Sequence, residues 1–532
     1  MKAFTEPLLS LAGFEEMTKT AEKSSGLISV TGCIDAQKSQ MIYAFGGHRK
    51  NKLIVTFGEQ KAKELYDEYS FFDKEVVYYP SKDVLFYQSD IRGNLLTAER
   101  IRALKAIREQ ERVTLVTTFD ALMNTMAPIE KMWENVLTLE QGQLLDLKEI
   151  QAALIRMGYE KEYQVQTMGQ FSVRGGILDV FPLTEENPIR IELWGDEIDT
   201  IRYFDCESQK SIENIDRVSI YPAAELVLSD EEKAGGIEKL KAEAKRVSDK
   251  LRKQMKTEEA HRVTVMADEL TEEWGELSMY AGMDAFLSYF FDERVGLLDY
   301  FKPSDSLIFF DELTRCVEQG KLTETEFSES MKQRLAMGYI LPGQMNGLFT
   351  EKEIVAKLGK YSCIALAALD NKANGLHQLG SYGIHCQSVS PYNNSFELLI
   401  KDLKRYKKNG YRVILLSGSR TRAKRLSEDI TDQGITCFYT ENYDHELFEG
   451  QIMVCYGKVR RGFEYPILKF AVITESDIFG AQQKKKKRHR TYEGEKIQSF
   501  TDLSVGDYVV HENHGLGIYR GIEKLEVDKK VK

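Results

Sequence analysis

Short apolar segments alternate with amphipathic helical patterns over residues 27–139. The apolar segments have the length of buried strands, and the patterns between them repeat with helical spacing. This alternation is typical of a parallel α/β sheet. The strands are predicted at residues 28–30, 53–57, 76–79 and 113–117, and the helices at 61–69 and 99–107.

The pattern changes over residues 147–222, where predicted strands are separated by tight turns. Gly175-Gly176 and Gly195-Asp196 are the turn signals, and they predict a small antiparallel-rich insertion. A helix follows, because apolar side chains recur three and four positions apart and form one stripe. A strand at residues 307–310 is predicted to return the chain to the first core. The stripe consists of Ile237, Leu240, Ala244, Val247, Leu251 and Met255.

A second, smaller α/β unit is predicted after residue 388. Two helical patterns in this region end at Gly410 and Gly434, and glycine is a common helix terminator. Apolar strands alternate with these helices, as in the first unit. They are predicted at residues 412–416, 451–456 and 470–474.

The last part of the chain begins with a basic run from Lys484 to Arg490. Like charges do not pack together, so this run predicts a solvated linker. Residues 506–522 are glycine-rich with alternating apolar positions, which is the pattern of a small β-barrel. The chain ends at Lys532, so we expect the barrel to be incomplete.

The fold class predicted from these patterns is α/β multidomain. A parallel α/β core carries an inserted antiparallel-rich β domain, and a second small α/β domain and an incomplete β-barrel follow it. The predicted domains are 1–146 and 223–380 for the two parts of the core, 147–222 for the insertion, 381–480 for the second α/β domain, 481–499 for the linker and 500–532 for the barrel.

Composition narrows the class of protein. The 532 residues are 42% apolar and 29% charged, as in an ordinary multidomain globular protein. The net charge of −11 argues against nucleic-acid binding over the whole surface, because that binding requires Lys and Arg to neutralise phosphates. We find neither a secretion signal nor an apolar run near the ~20 residues that cross a bilayer. Seven scattered cysteines without a C-x-x-C pair predict reduced thiols, so we predict a cytoplasmic protein without membrane contact.

The segment from Gly32 to Ser39 occupies the place of a phosphate loop, after a predicted strand and before a helix. The pattern G-x-x-x-x-G-K-[ST] requires a glycine before Lys38, but that position holds Gln37. The glycine matters because the loop backbone adopts conformations that a side chain disfavours and brings N–H groups around the phosphates. We therefore favour a loop that no longer binds nucleotide, with residual binding as the alternative.

Two further groups of residues resemble metal sites, and we interpret both structurally. Asp311-Glu312 follows the predicted strand at 307–310, as a Mg²⁺-holding motif does, but the phosphate loop that it would serve is degenerate. His511 and His514 are three positions apart beside glycines, whereas a zincin motif needs a spacing of four on a helix. We predict no metal site.

The segment Arg190-Ile191-Glu192-Leu193-Trp194 has the period of a strand. A period of two places Ile191 and Leu193 on one face, and an arginine and a tryptophan on the other. Trp and Arg are the residue types most enriched in binding hot spots. Arg174, beside the first glycine turn, could join this surface. The alternative is that Trp194 is covered by a neighbouring hairpin or domain.

Several motifs resemble those of bacterial transcription-repair coupling factors. Residues 117–122 are similar to the family's first module, which is homologous to the excinuclease protein UvrB. The run GQFSVRGGILDVFP at residues 169–182 closely resembles the domain inserted in that module, and the likeness continues through residues 190–199. In the family this insertion binds the excinuclease protein UvrA. Arg174, Arg190 and Trp194 match the positions implicated in UvrA binding. At the position of Trp194, members of the family can have another aromatic residue.

The resemblance continues towards the C-terminus. Residues 457–464 and 474–475 resemble the family's third domain, which has no known catalytic role. Residues 503–521 resemble the start of its RNA-polymerase-interacting domain. This implies edge pairing with a strand of the RNA polymerase β subunit, with Leu525 at the contact surface.

The resemblance implies a degenerate helicase-like core in a truncated coupling factor that lacks the family's translocase motor. We expect no catalytic residues and no cofactor in this chain, since ATP, Mg²⁺ and most DNA contacts belong to the motor. Its expected role is to recruit UvrA to stalled RNA polymerase, and we expect weak or absent polymerase binding by the incomplete barrel.

Two rival hypotheses remain. The first is an active phosphate-loop ATPase resembling UvrB, against which Gln37 argues. The second is a transcription regulator that acts only through its C-terminal module.

Overall fold

The computed structural model describes residues 1–45, 49–82, 94–276, 282–369 and 372–480, together with strand residues 508–511, 515–518, 526–527 and 530–531. The chain forms two compact units, Met1–Gly480 and Ala481–Lys532. No helix among the described residues has the length and apolar character needed to cross a membrane.

The strands are numbered along the chain. They are β1 Gly26–Thr31, β2 Asn51–Thr56, β3 Val77–Tyr79, β4 Val113–Thr118, β5 Leu137–Glu140, β6 Glu160–Lys161, β7 Gln170–Arg174, β8 Ile177–Val180, β9 Ile189–Trp194, β10 Glu197–Phe204, β11 Ser211–Ile215, β12 Arg217–Ile220, β13 Ser306–Asp311, β14 Ser362–Leu366, β15 Gln378–Gly383, β16 Gln387–Ser388, β17 Arg412–Ser417, β18 Phe438–Tyr439, β19 Ile452–Tyr456, β20 Phe463–Tyr465, β21 Phe470–Thr474, β22 Tyr508–His511, β23 Gly515–Ile518, β24 Glu526–Val527 and β25 Lys530–Val531.

The α-helices are numbered in the same way, and short 3₁₀ helices lie between some of them. They are α1 Lys2–Thr5, α2 Phe14–Lys23, α3 Asp35–Phe45, α4 Glu59–Tyr69, α5 Asn94–Glu109, α6 Phe119–Met123, α7 Ile129–Glu134, α8 Leu147–Arg156, α9 Asp230–Lys253, α10 Thr257–Glu276, α11 Leu287–Phe290, α12 Leu313–Ala336, α13 Glu351–Leu358, α14 Phe396–Lys408, α15 Arg420–Asp432 and α16 Glu475–Phe479.

The first core is a seven-stranded sheet in the order β15-β1-β14-β13-β2-β4-β3. Every pairing in it is parallel. The sheet is buried on both faces: on β13, Ile308 and Phe310 join one core cluster, and Leu307 and Phe309 join the other. The predicted parallel sheet is confirmed, and so is the return of the chain to it at residues 307–310.

The inserted module contains a six-stranded sheet in the order β11-β10-β9-β8-β7-β6. Its pairings are antiparallel except for β6 with β7, which confirms the antiparallel-rich character predicted for this region. A separate pair joins β5 to β12, and Leu139 of β5 lies in the same core cluster as Ile191. β5, which precedes the predicted boundary at residue 147, therefore packs with the inserted sheet.

Two long helices follow the inserted module, α9 and α10, and they pack together over one apolar cluster. Leu240, Ala244 and Leu251 of the predicted stripe are buried in that cluster. The placement of Met255 on the stripe is wrong. This residue follows the end of α9 with a φ of 62° and is 87% exposed, because the backbone has left the helix before it.

The second α/β unit has a six-stranded sheet in the order β16-β20-β21-β17-β19-β18. Its strands β21, β17, β19 and β18 are parallel, and β20 and β16 pair antiparallel at one edge. In the C-terminal unit, β22 pairs with β23 and β24 pairs with β25, both antiparallel. The basic run at residues 484–490, Leu525 and the remainder of the predicted barrel lie outside the described residues.

A buried ion pair ties the exit of the inserted module to the first core. Arg100 on α5 is fully buried; its Nε donates to Glu225 Oε1 at 2.7 Å, and its Nη2 to Glu225 Oε2 at 3.0 Å. Lys82 Nζ lies 3.0 Å from the same carboxylate. Burial alone would raise the pKa of Glu225, but attraction to Arg100 and Lys82 outweighs it and lowers the pKa to about 2.

We predict that Glu225→Gln lowers the free energy of unfolding by about 3 kcal/mol at pH 7, because it leaves the Arg100 charge buried and uncompensated. The folded-state pKa lies below the ordinary value of 4.5. The ion pair therefore stabilises fully above pH 4.5, and its contribution is lost as the pH falls towards 2. Urea denaturation between pH 7 and pH 2 should show the free energies of unfolding of the wild type and Glu225→Gln becoming more similar as the pH falls. Glu160→Gln, a change at an exposed position, is the control. A difference in stability between the wild type and Glu225→Gln that does not change with pH would contradict the stabilising role of the Glu225 ion pair.

Candidate partner-binding site

Two hairpin turns lie side by side at one end of the inserted sheet. Gly175-Gly176 joins β7 to β8, and Gly195-Asp196 joins β9 to β10. Gly175 and Gly195 have φ values of 61° and 65°, in the left-handed region that favours glycine. The Leu193 N–H donates to the Gly176 carbonyl at 2.8 Å, which fixes one turn against the other. Residues flanking the two turns therefore share one end of the module.

The indole of Trp194 lies on the surface at this end. Ile191 is fully buried and Trp194 is 85% exposed, as the period of two in β9 predicts. The alternative that a neighbouring hairpin covers the indole does not hold in this structure. An exposed side chain of this size is a candidate contact for another molecule.

The two arginines are held by one buried carboxylate, Asp179 on β8. Arg190 donates to it through Nε at 2.7 Å and through Nη2 at 2.8 Å, and Arg174 donates through Nη2 at 2.8 Å. Arg190 Nη2 also donates to Gln209 Oε1 at 2.8 Å, and its guanidinium lies 4.4 Å from the centre of the Phe204 ring. The hydrogen bonds to Asp179 raise the pKa of Arg190.

The side chains of Arg174 and Arg190 are therefore fixed in position by their hydrogen bonds to Asp179. The side chain of Arg190 is only 12% exposed and that of Arg174 is 35% exposed. Asp179 and Gln209 were not among the site residues predicted from the sequence. A signal for Asp179 was present, because it lies directly opposite Arg190 across β8 and β9, and opposite charges in that register attract.

The segment predicted to be a degenerate phosphate loop contains ion pairs among the protein's own side chains. Lys38 is 1% exposed, and its Nζ donates to Asp311 at 2.5 Å, to Glu312 at 2.9 Å and to Asp35 at 3.2 Å. Burial lowers the pKa of Lys38, but attraction to Asp311 and Glu312 outweighs that effect, and the net shift is upward. An ammonium group has three N–H donors, and these three carboxylates occupy them.

The first two backbone N–H groups of this segment are hydrogen-bonded within the protein. The N–H groups of Gly32 and Cys33 donate to the Ala368 and Ala367 carbonyls. A Cβ on Gly32 would lie 2.0 Å from the Ile384 carbonyl oxygen, so another segment passes directly against the loop. These N–H groups are therefore not free to surround a phosphate, as a working loop requires.

The substituted position Gln37 contacts the second α/β unit. Its side chain is fully buried, and the hydroxyl of Tyr465 on β20 lies 3.2 Å from Gln37 Oε1 and 3.3 Å from Gln40 Oε1. Gln37 and Tyr465 are 428 positions apart, and no local sequence signal indicates this contact. The residue that breaks the phosphate-loop pattern therefore serves the packing of the two α/β units.

Comparison with protein families identifies two regions of the chain. Residues 137–226 match the family described as the UvrB interaction domain, which covers the inserted sheet with β5 and β12. Residues 503–532 match the CarD-like/TRCF RID domain. The class of protein indicated is one that combines these two modules.

Curated relatives carry the name transcription-repair-coupling factor. The Bacillus subtilis protein is 30% identical over 478 residues, which are 89% of this chain and 40% of the relative. The Staphylococcus haemolyticus protein is 29% identical over 94% of this chain and 42% of its own length. The Staphylococcus aureus MRSA252 protein is 28% identical over 97% of this chain and 43% of its own length.

These findings confirm the resemblance seen in the sequence. The chain is similar over most of its length to the N-terminal half of transcription-repair-coupling factors. It spans about two fifths of the length of the relatives that it matches.

We predict that Asp179→Asn loosens β8 and β9, because a neutral amide attracts the two guanidinium groups less and leaves Arg190 partly unpaired. The expected loss is about 2 kcal/mol of local stability. Hydrogen exchange should show faster exchange of the β8 and β9 amides than in the wild type. Asp199→Asn, an exposed change in the same module, is the matched control. Equal exchange in both variants would show that Asp179 does not organise this face.

Proposed function

We propose that this chain recruits the excinuclease protein UvrA through the outer face of the inserted module. Trp194 is the apolar anchor, and Arg174 and Arg190 are polar contacts. The observation that carries the proposal is the 85% exposure of Trp194 within a region that matches the UvrB interaction domain. A large exposed aromatic side chain beside arginines has the composition of an interface hot spot.

The held arginines suit this role. The bonds to Asp179 and Gln209 use Nε and Nη2 of Arg190, and Nη1 makes no hydrogen bond to a described residue. A side chain that is already fixed loses little rotamer entropy when a partner binds. In this proposal Asp179 sets the direction of the remaining donors, and the partner supplies the acceptors.

The proposal assigns neither nucleotide binding nor ATP hydrolysis to this chain. Lys38 bonded to three carboxylates and the filled space beside Gly32 support it, and they oppose the rival phosphate-loop ATPase. Translocation on DNA driven by ATP and Mg²⁺ would then belong to another part of a coupling factor. The role that we propose for this chain is recruitment during transcription-coupled DNA repair.

We further propose that the C-terminal unit contacts the RNA polymerase β subunit. The match of residues 503–532 to the CarD-like/TRCF RID domain supports this. Leu525 remains the proposed contact residue, and we expect weak or absent binding. Tight binding of this chain to the isolated polymerase β subunit, with no binding to UvrA, would favour the rival transcription regulator.

We predict that Trp194→Ala weakens binding to UvrA by about 30-fold, which corresponds to a hot-spot loss of ~2 kcal/mol. Arg190→Ala/Trp194→Ala should abolish retention in a pull-down. Tyr163→Ala is the matched control, because Tyr163 is an 83% exposed aromatic residue of the same module. Retention of both Trp194 variants at the wild-type level would refute the site.

We predict no measurable ATP binding in a calorimetric titration of the wild-type chain with Mg²⁺ present, because the Lys38 ammonium is already neutralised. Lys38→Ala should leave that result unchanged and should lower thermal stability, since it leaves the buried Asp311 carboxylate without its cation. Micromolar ATP binding by the wild type that Lys38→Ala abolishes would restore the ATPase hypothesis.

A further inference from the structure

An open groove of about 700 Å³ lies beside Trp194. It runs between the tip of the β9–β10 hairpin and the neighbouring ends of β5 and β12. Its character is acidic, unlike the arginine face that the proposed function uses. The side chains that define it are Trp194, Glu140, Glu197, Asp199, Asp216 and Arg217.

The negative charge of the groove is largely uncompensated. Arg217 Nε lies 3.1 Å from Glu140 Oε1, so the one cation and one of the four carboxylates neutralise each other. Glu197, Asp199 and Asp216 are exposed and form no ion pair with any residue that the structure describes. Three carboxylates therefore face the groove without a countercharge.

Exposed apolar side chains border the same carboxylates. Glu197 lies opposite Trp194 across β9 and β10, and it forms an isolated antiparallel bridge with Leu144. Residues directly opposite each other point to the same face of a sheet. Leu144 is 75% exposed and Trp194 is 85% exposed. An acidic side chain is thus flanked on both sides by apolar ones.

The charged side chains around the two arginines are paired within the module. Asp179 holds Arg174 and Arg190, and Glu192 accepts from Arg202. These pairs leave one net positive charge on the arginine side of Trp194, whereas three unpaired carboxylates lie on its groove side. Nucleic acid does not fit this surface, because its phosphates would be repelled.

We infer that the groove binds a cationic segment of the recruited protein. An apolar side chain of that segment contacts Trp194 and Leu144, and its Lys or Arg residues face Glu197, Asp199 and Asp216. The inference rests on the proposed function and names the chemistry of the partner segment. Charge complementarity of this kind contributes to association rate and specificity.

The test is the affinity of the full chain for purified UvrA at low and high salt. Asp199→Asn/Asp216→Asn removes two groove charges without touching the arginine face. Glu160→Gln/Glu162→Gln is the control, with the same change in net charge on exposed residues at the β6 edge. Thermal melting verifies that both variants are folded, and Trp194→Ala is measured in parallel.

We expect the groove variant to bind roughly threefold to tenfold more weakly at low salt and to lose less affinity than the wild type as salt is added. The control should match the wild type. Equal or tighter binding by the groove variant, with Trp194→Ala still impaired, overturns the inference and leaves the proposed function standing. Equal losses in the groove variant and the control also overturn it. Wild-type binding by Trp194→Ala, or no binding by any protein, overturns both.

Discussion

One buried carboxylate organises the outer face of the inserted sheet. Asp179 lies 1% exposed on β8 and binds Arg174 and Arg190 from the two flanking strands. Its charge keeps both guanidinium groups next to the sheet, where each would otherwise be a mobile surface cation. Trp194, two residues beyond Glu192 on the same face of β9, is 85% exposed. The partner site that we propose depends on this contrast between a held charge and a free indole.

In the segment predicted to be a degenerate phosphate loop, charged side chains are also paired within the protein, but there the ion pair of Lys38 with Asp311 is buried. In a working phosphate loop, a lysine and backbone N–H groups are available to bind the phosphates of a nucleotide. Here Lys38 is bonded to Asp311 and two other carboxylates, and Gln37 packs against Tyr465 of the second α/β unit. The charges of this segment thus pair with one another, and Gln37 lies at an interface between the two α/β units.

A contact could be predicted from the sequence when its residues are close together along the chain, and could not when they are far apart. The period of two in β9 correctly placed Ile191 inside and Trp194 outside, because both follow from neighbouring residues on one strand. The contact of Gln37 with Tyr465 joins positions 428 residues apart, and no local pattern encodes it. Met255 was misplaced because a helical stripe does not show where the backbone leaves the helix; its φ is 62°.

The most direct test of the proposed site is whether the indole of Trp194 is free in the isolated chain and covered in the complex. The chain has three tryptophans, and Trp274 is fully buried. Tryptophan fluorescence is measured with acrylamide in the wild type and in Trp194→Phe. The difference between the two signals reports on the quenching of Trp194. We expect strong quenching in the free chain and severalfold weaker quenching with saturating UvrA. Unchanged quenching in a complex that has demonstrably formed would contradict the proposed site.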